Sequence, residues 1–193
     1  YELGIFKQKI VDGQQVELAD NWLGLGDAWL IPKVDETETV HFGGKVKGYW
    51  DENGRHRVAY EGGTDVLAIP KDMEIAGYGT DHVNVLRLWD AKSPVPVDMS
   101  LYSRGEYLKA VEQQAMAEVI AKVLYPDDNH YEGKSLRLKQ QYFFVSATIQ
   151  SIVRKHRAQY GTLHNFHQKH VIQINDTHPT LVIPELMRIL LDE

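Results

Sequence analysis

The sequence contains no cysteine, and this absence excludes several kinds of chemistry. Disulfide bonds, cysteine-ligated metal centres and thiolate nucleophiles are not available to this chain. Long hydrophobic runs are also missing, because no stretch approaches the roughly 18 uninterrupted apolar residues of a membrane-spanning helix. The first residues, YELGIFKQKIVDG, lack the charged-then-apolar order of a signal peptide. From these absences we expect a cytoplasmic protein.

Basic residues are fewer than acidic ones: the chain has 21 Lys and Arg and 27 Asp and Glu, which give a net charge of −6. General nucleic-acid binding needs a basic face that displaces counterions, so this balance argues against it. The 43% hydrophobic and 25% charged content is typical of an ordinary globular protein. A chain of 193 residues buries roughly 70% of its unfolded surface, enough for one sizeable core.

The first half of the chain, residues 1–100, has the pattern of a sheet-rich region. Short apolar alternations such as TVHFGGKVKGYW are separated by glycine-rich turns, and ENG at 52–54 is a hairpin signal. Two prolines in SPVPVD, at positions 94 and 96, predict the end of this region.

The second half, residues 101–193, is predicted to be mainly helical. Apolar residues recur every three or four positions between 105 and 124, which predicts an amphipathic helix. The stripe consists of Tyr107, Leu108, Val111, Ala115, Val119 and Val123. A second helix is predicted at about 134–160, with a buried middle, YFFVSATI, and a polar, solvated end, RKHRAQY.

Residues 170–174 are predicted to form a short strand, which a polar turn and a terminal apolar helix follow. Asp176 and His178 lie in that turn. Ligands in open α/β sheets bind outside the carboxyl ends of strands, so these two residues are candidate substrate contacts. The pattern alone equally allows Asp176, Thr177 and His178 to cap the helix, with Pro179 or Pro184 in its first turn.

The segment between the two long helices, Asp127-Asp128-Asn129, has donors and acceptors that suit vicinal sugar hydroxyls. Such a cluster is also typical of a plain turn or a helix cap. Three histidines, His164, His167 and His170, suggest a metal site. On a helix only neighbouring pairs share a face, and no Asp or Glu lies within the segment, so we expect no metal there.

Four blocks of the chain resemble, in order, the α-glucan phosphorylases, which act on glycogen, starch and maltodextrin. They are YELGIFKQKI at 1–10, VNVLRLWDAK at 83–92, VLYPDDNHYEGKSLRLKQQYFFVSAT at 123–148 and NDTHPTLVIPELMRILLDE at 175–193. The last resembles the NDTHPxLAIPELMR stretch of that family. By contrast, WLGLGDAWL at 22–30 differs from the family's usual WLRYGNPWE, which puts regulatory and subunit contacts there in question.

The resemblance implies a mixed α/β fold, namely part of the N-terminal domain of a two-domain GT-B-like glycosyltransferase. It also implies phosphorolysis of terminal α-1,4-glucosyl units to α-glucose 1-phosphate with retention. The family includes allosteric enzymes and dimers, and it uses pyridoxal 5′-phosphate, whose phosphate relays a proton. No block matches the region that carries the coenzyme lysine. We therefore expect residues 1–193 to be a piece of a longer enzyme, inactive and without coenzyme by itself.

The resemblance also assigns substrate-binding residues, and no catalytic residue, to this segment. Asp128 and Asn129 fall on the family's mobile gate beside the active site, and Arg137 falls near that acidic cluster. His130 stands where the animal enzymes carry an aromatic residue. Asp176 and His178 match residues on the acceptor side of the site. The alternatives from other classes are a non-catalytic carbohydrate-binding or scaffold module and a metal hydrolase that uses the histidines.

Overall fold

The computed structural model describes residues 7–18 and 29–192. All of YELGIF at the start and residues 22–28 of WLGLGDAWL lie outside the described residues. The strands are β1 (Lys7–Val11), β2 (Gln14–Leu18), β3 (Ile31–Pro32), β4 (Glu38–Phe42), β5 (Lys45–Trp50), β6 (His56–Glu61), β7 (Thr64–Ala76) and β8 (Val83–Lys92). The helices are a 3₁₀ turn (Val34–Glu36), α1 (Met99–Ser103), α2 (Tyr107–Lys122), α3 (Tyr131–Tyr160), α4 (Phe166–Lys169) and α5 (Val182–Asp192).

The mixed α/β fold predicted from the sequence is confirmed, and the strands precede the α-helices among the described residues. In the part of the chain that the structure describes, no helix combines the length and apolar character needed to cross a bilayer. The chain divides into two compact units. The first holds the described residues up to Thr37 together with Leu67–Gln140, and the second holds Glu38–Val66 and Gln141 onwards.

The predicted strand at 170–174 is wrong. The structure assigns this segment to neither helix nor strand, although His170 has extended dihedral angles (φ −125°, ψ 138°). A strand exists only where a neighbour accepts and donates ladder hydrogen bonds, and among the described residues none pairs with this segment. Ile172 still packs on an apolar cluster while Val171 is exposed, so the alternation of the sequence survives without the ladder.

In the first unit, β7 pairs antiparallel with β8 from Leu67↔Lys92 to Ala76↔Val83, and β3 pairs with β7 at Ile31↔Asp72. α2 packs on β8. The unit's buried side chains include Ala68, Trp89, Ala91, Ala110, Ala117, Ile120 and Ala121. Small residues on both surfaces let the helix approach the sheet closely.

Arg87 on β8 ties this sheet to the 3₁₀ turn. Its guanidinium donates two hydrogen bonds of 2.7 Å to Asp72 and one of 2.7 Å to Glu36, and it lies 5.7 Å from the ring of Trp89. Asp72 is only 7% exposed. The hydrogen bonds to Asp72 are the main reason that the pKa of Arg87 is raised.

Helix α2 confirms the helix predicted at 105–124, but the predicted apolar stripe is not the buried face. Leu108, Val111 and Val119 are exposed, whereas the face on the sheet is formed by Ala110, Ala117, Ile120 and Ala121. The three buried alanines are spaced by seven and four residues and therefore lie on one face of the helix. Their small side chains let the backbone of α2 approach β8, so this face is buried although its side chains are smaller than those of the predicted stripe. The larger apolar side chains are left on the surface of the chain.

In the second unit, the part of α3 after Gln140 packs with α4 and α5. Their apolar cluster comprises Val145, Ile149, Val153, Phe166, Val182 and Ile189. β4 joins α3 through a 2.7 Å ion pair between Glu38 and Arg154. β5 and β6 form the hairpin that ENG predicts, in register from Lys45↔Glu61 to Trp50↔His56.

The end of α3 is less solvated than its sequence predicts. His156 is 1% exposed, and its two ring nitrogens lie 2.9 Å from His170 Nε2 and 2.9 Å from Asn165 Oδ1. Phe166 and Tyr160 flank the same ring. A buried imidazole with both nitrogens bonded satisfies the usual rule for buried polar groups, so RKHRAQY contains a core histidine that charge pattern alone does not reveal.

Candidate functional site

The segment between α2 and α3 is folded back on the first turn of α3. A side chain at Gly133 would meet the backbone carbonyl of Asp127, so only glycine permits this approach. His130 Nδ1 accepts a hydrogen bond of 3.0 Å from the amide of Gly133. The helix-capping role that the sequence allows for the acidic cluster therefore falls to His130.

The three polar residues of this loop have different partners. Asp127 accepts hydrogen bonds from the amide and the side chain of Asn129 at 2.9 and 2.7 Å, which is an Asx-type turn. Asp128 Oδ2 lies 2.5 Å from Arg137 Nη1. The plain-turn alternative thus describes Asp127, while Asp128 is a partly exposed carboxylate oriented by Arg137 in the second turn of α3.

Asp176 and His178 are brought together in the second unit. The Asp176 carboxylate accepts a hydrogen bond of 2.6 Å from the amide of Thr177, and its other oxygen is 3.1 Å from His178 Nδ1. The bond from Thr177 is the main reason that the pKa of Asp176 is lowered, and His178 contributes further. The carboxylate is therefore ionised at neutral pH, and it is exposed, so it can accept hydrogen bonds from a ligand.

The capping alternative for this turn does not describe the structure. α5 begins at Val182, and the carboxylate of Asp176 is occupied by Thr177 and His178. Pro184 lies in the first turn of the helix, as the sequence allows.

Two non-glycine residues beside these loops have left-handed backbone angles, Tyr125 (φ 52°) and Asp176 (φ 66°). This region is uncommon for residues other than glycine, and for a bulky residue such as tyrosine it is an outlier. Such outliers cluster at ligand-binding sites, where the surrounding structure imposes them. Tyr125 is a feature that sequence reasoning missed, because no residue type signals it.

The two groups of predicted residues belong to different units. Asp128, Asn129 and Arg137 lie in the first unit, and Asp176 and His178 lie in the second.

The second unit also contains a hydrogen-bond network on α5 that the sequence analysis did not predict. Glu185 on α5 is 4% exposed and accepts hydrogen bonds from Ser146 on α3 and, twice, from Arg188. The hydrogen bonds that Arg188 donates to Glu185 are the main reason that the pKa of Arg188 is raised. The signal was present as the Glu–Arg spacing of three in PELMR, which places both side chains on one helix face.

The described residues show no arrangement of side chains for a metal ion. In residues 7–18 and 29–192 no group of three or more His, Asp or Glu is placed to hold a metal ion, and His170 contacts His156 instead. A Schiff base forms on an uncharged lysine amine. Lys71, a half-buried lysine, is ion-paired with Asp90 at 3.3 Å and does not fit that role.

Comparisons with known proteins identify the family. A family model described as Carbohydrate phosphorylase matches residues 1–193. Glycogen phosphorylase 2 of Dictyostelium discoideum is 47% identical over all of this chain and 19% of its own length. Glycogen phosphorylase of Synechocystis sp. is 44% identical over all of the chain, and the brain form of glycogen phosphorylase of Bos taurus is 46% identical; each is covered over 23% of its length.

The chain therefore belongs to the carbohydrate phosphorylase family, as the four sequence blocks predict. It spans about a fifth to a quarter of the length of the curated relatives that it matches.

Proposed function

We propose that this chain is part of an α-1,4-glucan phosphorylase, which transfers terminal glucosyl units to inorganic phosphate and forms α-glucose 1-phosphate with retention. The observation that carries the proposal is the identity of 44–47% over the whole chain to glycogen phosphorylases. Residues 1–193 would form part of the N-terminal domain of a two-domain, GT-B-like enzyme. The cytoplasmic location stays a prediction of the sequence.

The loop before α3 has the chemistry of a substrate gate. Asp128 offers carboxylate oxygens, Asn129 offers both an amide donor and an acceptor, and Arg137 fixes the direction of the carboxylate. Charge-assisted hydrogen bonds of this kind hold a hydroxyl-rich ligand in one orientation. We propose that Asp128 and Asn129 contact the glucosyl unit and that Arg137 acts as a positioning residue.

The turn before α5 supplies the second set of contacts in this proposal. Asp176 is ionised and exposed, so it accepts a hydrogen bond from a glucan hydroxyl. His178, held at 3.1 Å by Asp176, presents its other ring nitrogen to the same ligand. Neither residue moves a proton in the reaction; both bind and orient the sugar.

The gate proposal is tested in the full-length enzyme that carries this chain. Replacing Asp128 and Asn129 together by alanine should lower kcat/KM for phosphorolysis at least about tenfold, because about 1.4 kcal/mol of transition-state stabilisation is lost. The free energy of unfolding should change by less than about 1 kcal/mol, since the pair with Arg137 is half exposed.

The matched control is the pair Glu52 and Asn53, which are exposed and of the same chemical types. Their replacement by alanine should leave kcat/KM unchanged. An equal loss of activity in both double variants, or a loss of folded protein in the first, would return Asp127–Asn129 to a purely structural turn.

The coenzyme of the proposed enzyme is pyridoxal 5′-phosphate, held by residues outside this chain. The isolated chain is expected to be inactive and to bind no coenzyme. Borohydride reduction of the full-length holoenzyme followed by peptide mass spectrometry should place the labelled lysine outside residues 1–193, and a label within them would contradict this assignment.

We also propose that the enzyme is a homodimer and that the exposed stripe of α2 contributes to its interface. Val111 and Met116 are exposed in the chain, which weakens the alternative that the stripe is ordinary core. Val111→Glu or Met116→Glu should raise the dimer dissociation constant at least about tenfold, because a charge buried at an interface loses its hydration. Analytical ultracentrifugation measures this constant.

Val34→Glu, at an exposed apolar residue of the 3₁₀ turn, is the control and should leave the dimer unchanged. A wild-type enzyme that sediments as a monomer at all concentrations would remove the dimer proposal. The alternative of a non-catalytic carbohydrate-binding or scaffold module is not favoured, because the relatives that match the whole chain are enzymes.

A further inference from the structure

The gate loop (residues 124–130), which carries the proposed glucosyl contacts, is held on α3 at its start and in its middle. Gln140 on α3 is 7% exposed and donates a hydrogen bond of 2.6 Å to the carbonyl of Val123, which directly precedes the loop. Arg137 on the same helix contacts Asp128. An amide does not titrate and a guanidinium stays protonated in proteins. The donors of these two contacts are therefore the same at every pH between about 5 and 8.

The end of the gate loop is held by a histidine at the N-cap of α3. The helix begins at Tyr131, and the carbonyl of His130 accepts a helical hydrogen bond of 3.1 Å from the amide of Lys134. His130 Nδ1 accepts one of 3.0 Å from the amide of Gly133. An amide in the first turn of a helix has no acceptor within the helix, and Gly133 is buried. The imidazole therefore supplies the acceptor that this amide needs.

Gly133 also makes room for the imidazole. A Cβ at this position would lie 3.1 Å from His130 Cε1, and it would meet the carbonyl of Asp127 as well. The ring therefore lies against the glycine, close to the backbone of its own loop. Asn129 directly precedes His130 and is exposed, so the cap also fixes where the loop presents the Asn129 side chain.

Histidine differs from the usual N-cap residues in one respect. Serine, threonine, aspartate and asparagine are preferred at this position, and each keeps an acceptor oxygen at neutral and mildly acidic pH. An imidazole accepts through Nδ1 only when it is neutral and carries its proton on Nε2, because both nitrogens of the protonated ring are donors. The Gly133 amide therefore has its partner in the neutral form of His130 and loses it in the charged form.

A second partner for the same nitrogen is already in place. A carboxylate oxygen of Glu132 lies 3.4 Å from His130 Nδ1. The neutral imidazole has no proton there to donate, whereas the protonated ring donates one to the carboxylate. The His130 and Glu132 side chains are 58% and 83% exposed, so they can approach each other without disturbing a core. Protonation therefore exchanges the Gly133 amide for Glu132 as the partner of this nitrogen.

The other charged side chains of the gate loop, of the first turns of α3 and of the end of α2 have other partners or are exposed. They are Asp127, Asp128, Lys134, Arg137 and Lys122. Among the described residues, Glu132 is the charged group that lies within ion-pair distance of the His130 ring. The exchange of partners therefore involves one acid and one imidazole.

We propose that His130 is a positioning residue of the gate loop: its neutral imidazole caps α3 and directs Asn129 towards the glucosyl unit, and its protonation turns Nδ1 to Glu132 and loosens the loop. The identity of the ligand rests on the proposed function. The loop is firmly placed when His130 is neutral, and this placement is lost as the pH falls and the ring takes up a proton.

Hydrogen–deuterium exchange of the full-length enzyme, measured by mass spectrometry on peptides that cover residues 124–134, tests the cap without any ligand. At about pH 8, above the usual titration of histidine, His130→Ala should exchange faster than the wild type. His130→Asn should match the wild type, because its amide oxygen caps a helix at any pH. At about pH 5.5 the wild type should exchange faster than His130→Asn at the same pH.

The kinetics of phosphorolysis test the effect on the substrate. At about pH 8, His130→Ala should lower kcat/KM about three- to tenfold, the usual effect of one lost helix cap, and His130→Asn should stay within about twofold of the wild type. At about pH 5.5 the ratio of wild type to His130→Asn should fall by a similar factor. His82→Ala is the matched control. His82 is an exposed histidine of the same unit that contacts Asn84 at 3.0 Å, and its variant should follow the wild type in both measurements.

Each outcome decides one part of the inference. Exchange in the wild type that matches His130→Asn at both pH values overturns the switch, and exchange in His130→Ala that matches the wild type at about pH 8 overturns the positioning role. Equal effects in His82→Ala overturn both. An enzyme without phosphorolytic activity in which exchange of the loop still follows His130 would contradict the proposed function and leave the cap standing. An active enzyme whose kcat/KM does not respond to His130 would overturn the inference and leave the proposed function standing.

Discussion

Arg87→Met should lower the free energy of unfolding by about 3–5 kcal/mol, the cost of breaking a buried ion pair from one side. Asp72 is 7% exposed and receives two hydrogen bonds from Arg87, and Glu36 receives another. Methionine fills much of the volume of arginine but donates nothing. Both carboxylates would then be left without their main partner in a site that water reaches poorly.

Chemical denaturation of the purified protein measures this loss. Arg104→Met is the control, since the pair of Arg104 with Glu106 is solvent-exposed and its loss should cost at most about 1 kcal/mol. Adding Asp72→Leu to Arg87→Met should recover part of the stability, because a buried charge is replaced by an apolar group. A loss below about 1 kcal/mol in Arg87→Met would show that the RLW block is not held by this ion pair.

Asp176→Asn should lower kcat/KM of the full-length enzyme by roughly 10- to 100-fold. Asparagine keeps the shape and tolerates the left-handed backbone at φ 66°, so only the negative charge is lost. A hydrogen bond to a charged group is worth up to about 3 kcal/mol, and about 1.4 kcal/mol is a factor of ten. Adding His178→Ala should cost less in the double variant than alone, because the two side chains share one ligand.

The matched control for this substitution is Asp12→Asn. Asp12 is likewise an aspartate with a positive φ, 51°, in the turn between β1 and β2. Its substitution tests the effect of changing an aspartate at this backbone conformation without touching the proposed site, and kcat/KM should be unchanged. Wild-type kinetics in Asp176→Asn would give the turn a structural role only.

The sequence predicts a helix or hairpin well where local residues, such as turn residues or regularly spaced apolar residues, are sufficient to form it. The ENG turn places the β5–β6 hairpin correctly, and the apolar spacing places α2 and α3 correctly. The sequence-based prediction fails where the secondary structure of a segment depends on pairing with another part of the chain. Residues 170–174 have the composition of a strand, but among the described residues none pairs with them.

The buried face of α2 is a second feature that the apolar pattern of the sequence did not predict correctly. On α2, Leu108, Val111 and Val119 are exposed, whereas Ile120 and three alanines form the buried face, because close approach to β8 depends on small side chains. His156 is a third case, since its burial depends on Asn165 and His170, which a charge pattern does not reveal. The predicted site residues were found from side-chain chemistry, the end-of-strand rule and family motifs, and their partners, such as Arg137 for Asp128, are seen only in the structure.

The most direct test of the central claim is a ³¹P NMR spectrum of the full-length enzyme with coenzyme, maltoheptaose and inorganic phosphate. The proposed function predicts that α-glucose 1-phosphate appears as inorganic phosphate disappears, with one glucosyl unit lost from the glucan for each phosphate ester formed. Release of free glucose without a phosphate ester would indicate a hydrolase, and an unchanged spectrum would indicate a binding module. Either result would contradict the assignment of this chain to a working α-glucan phosphorylase.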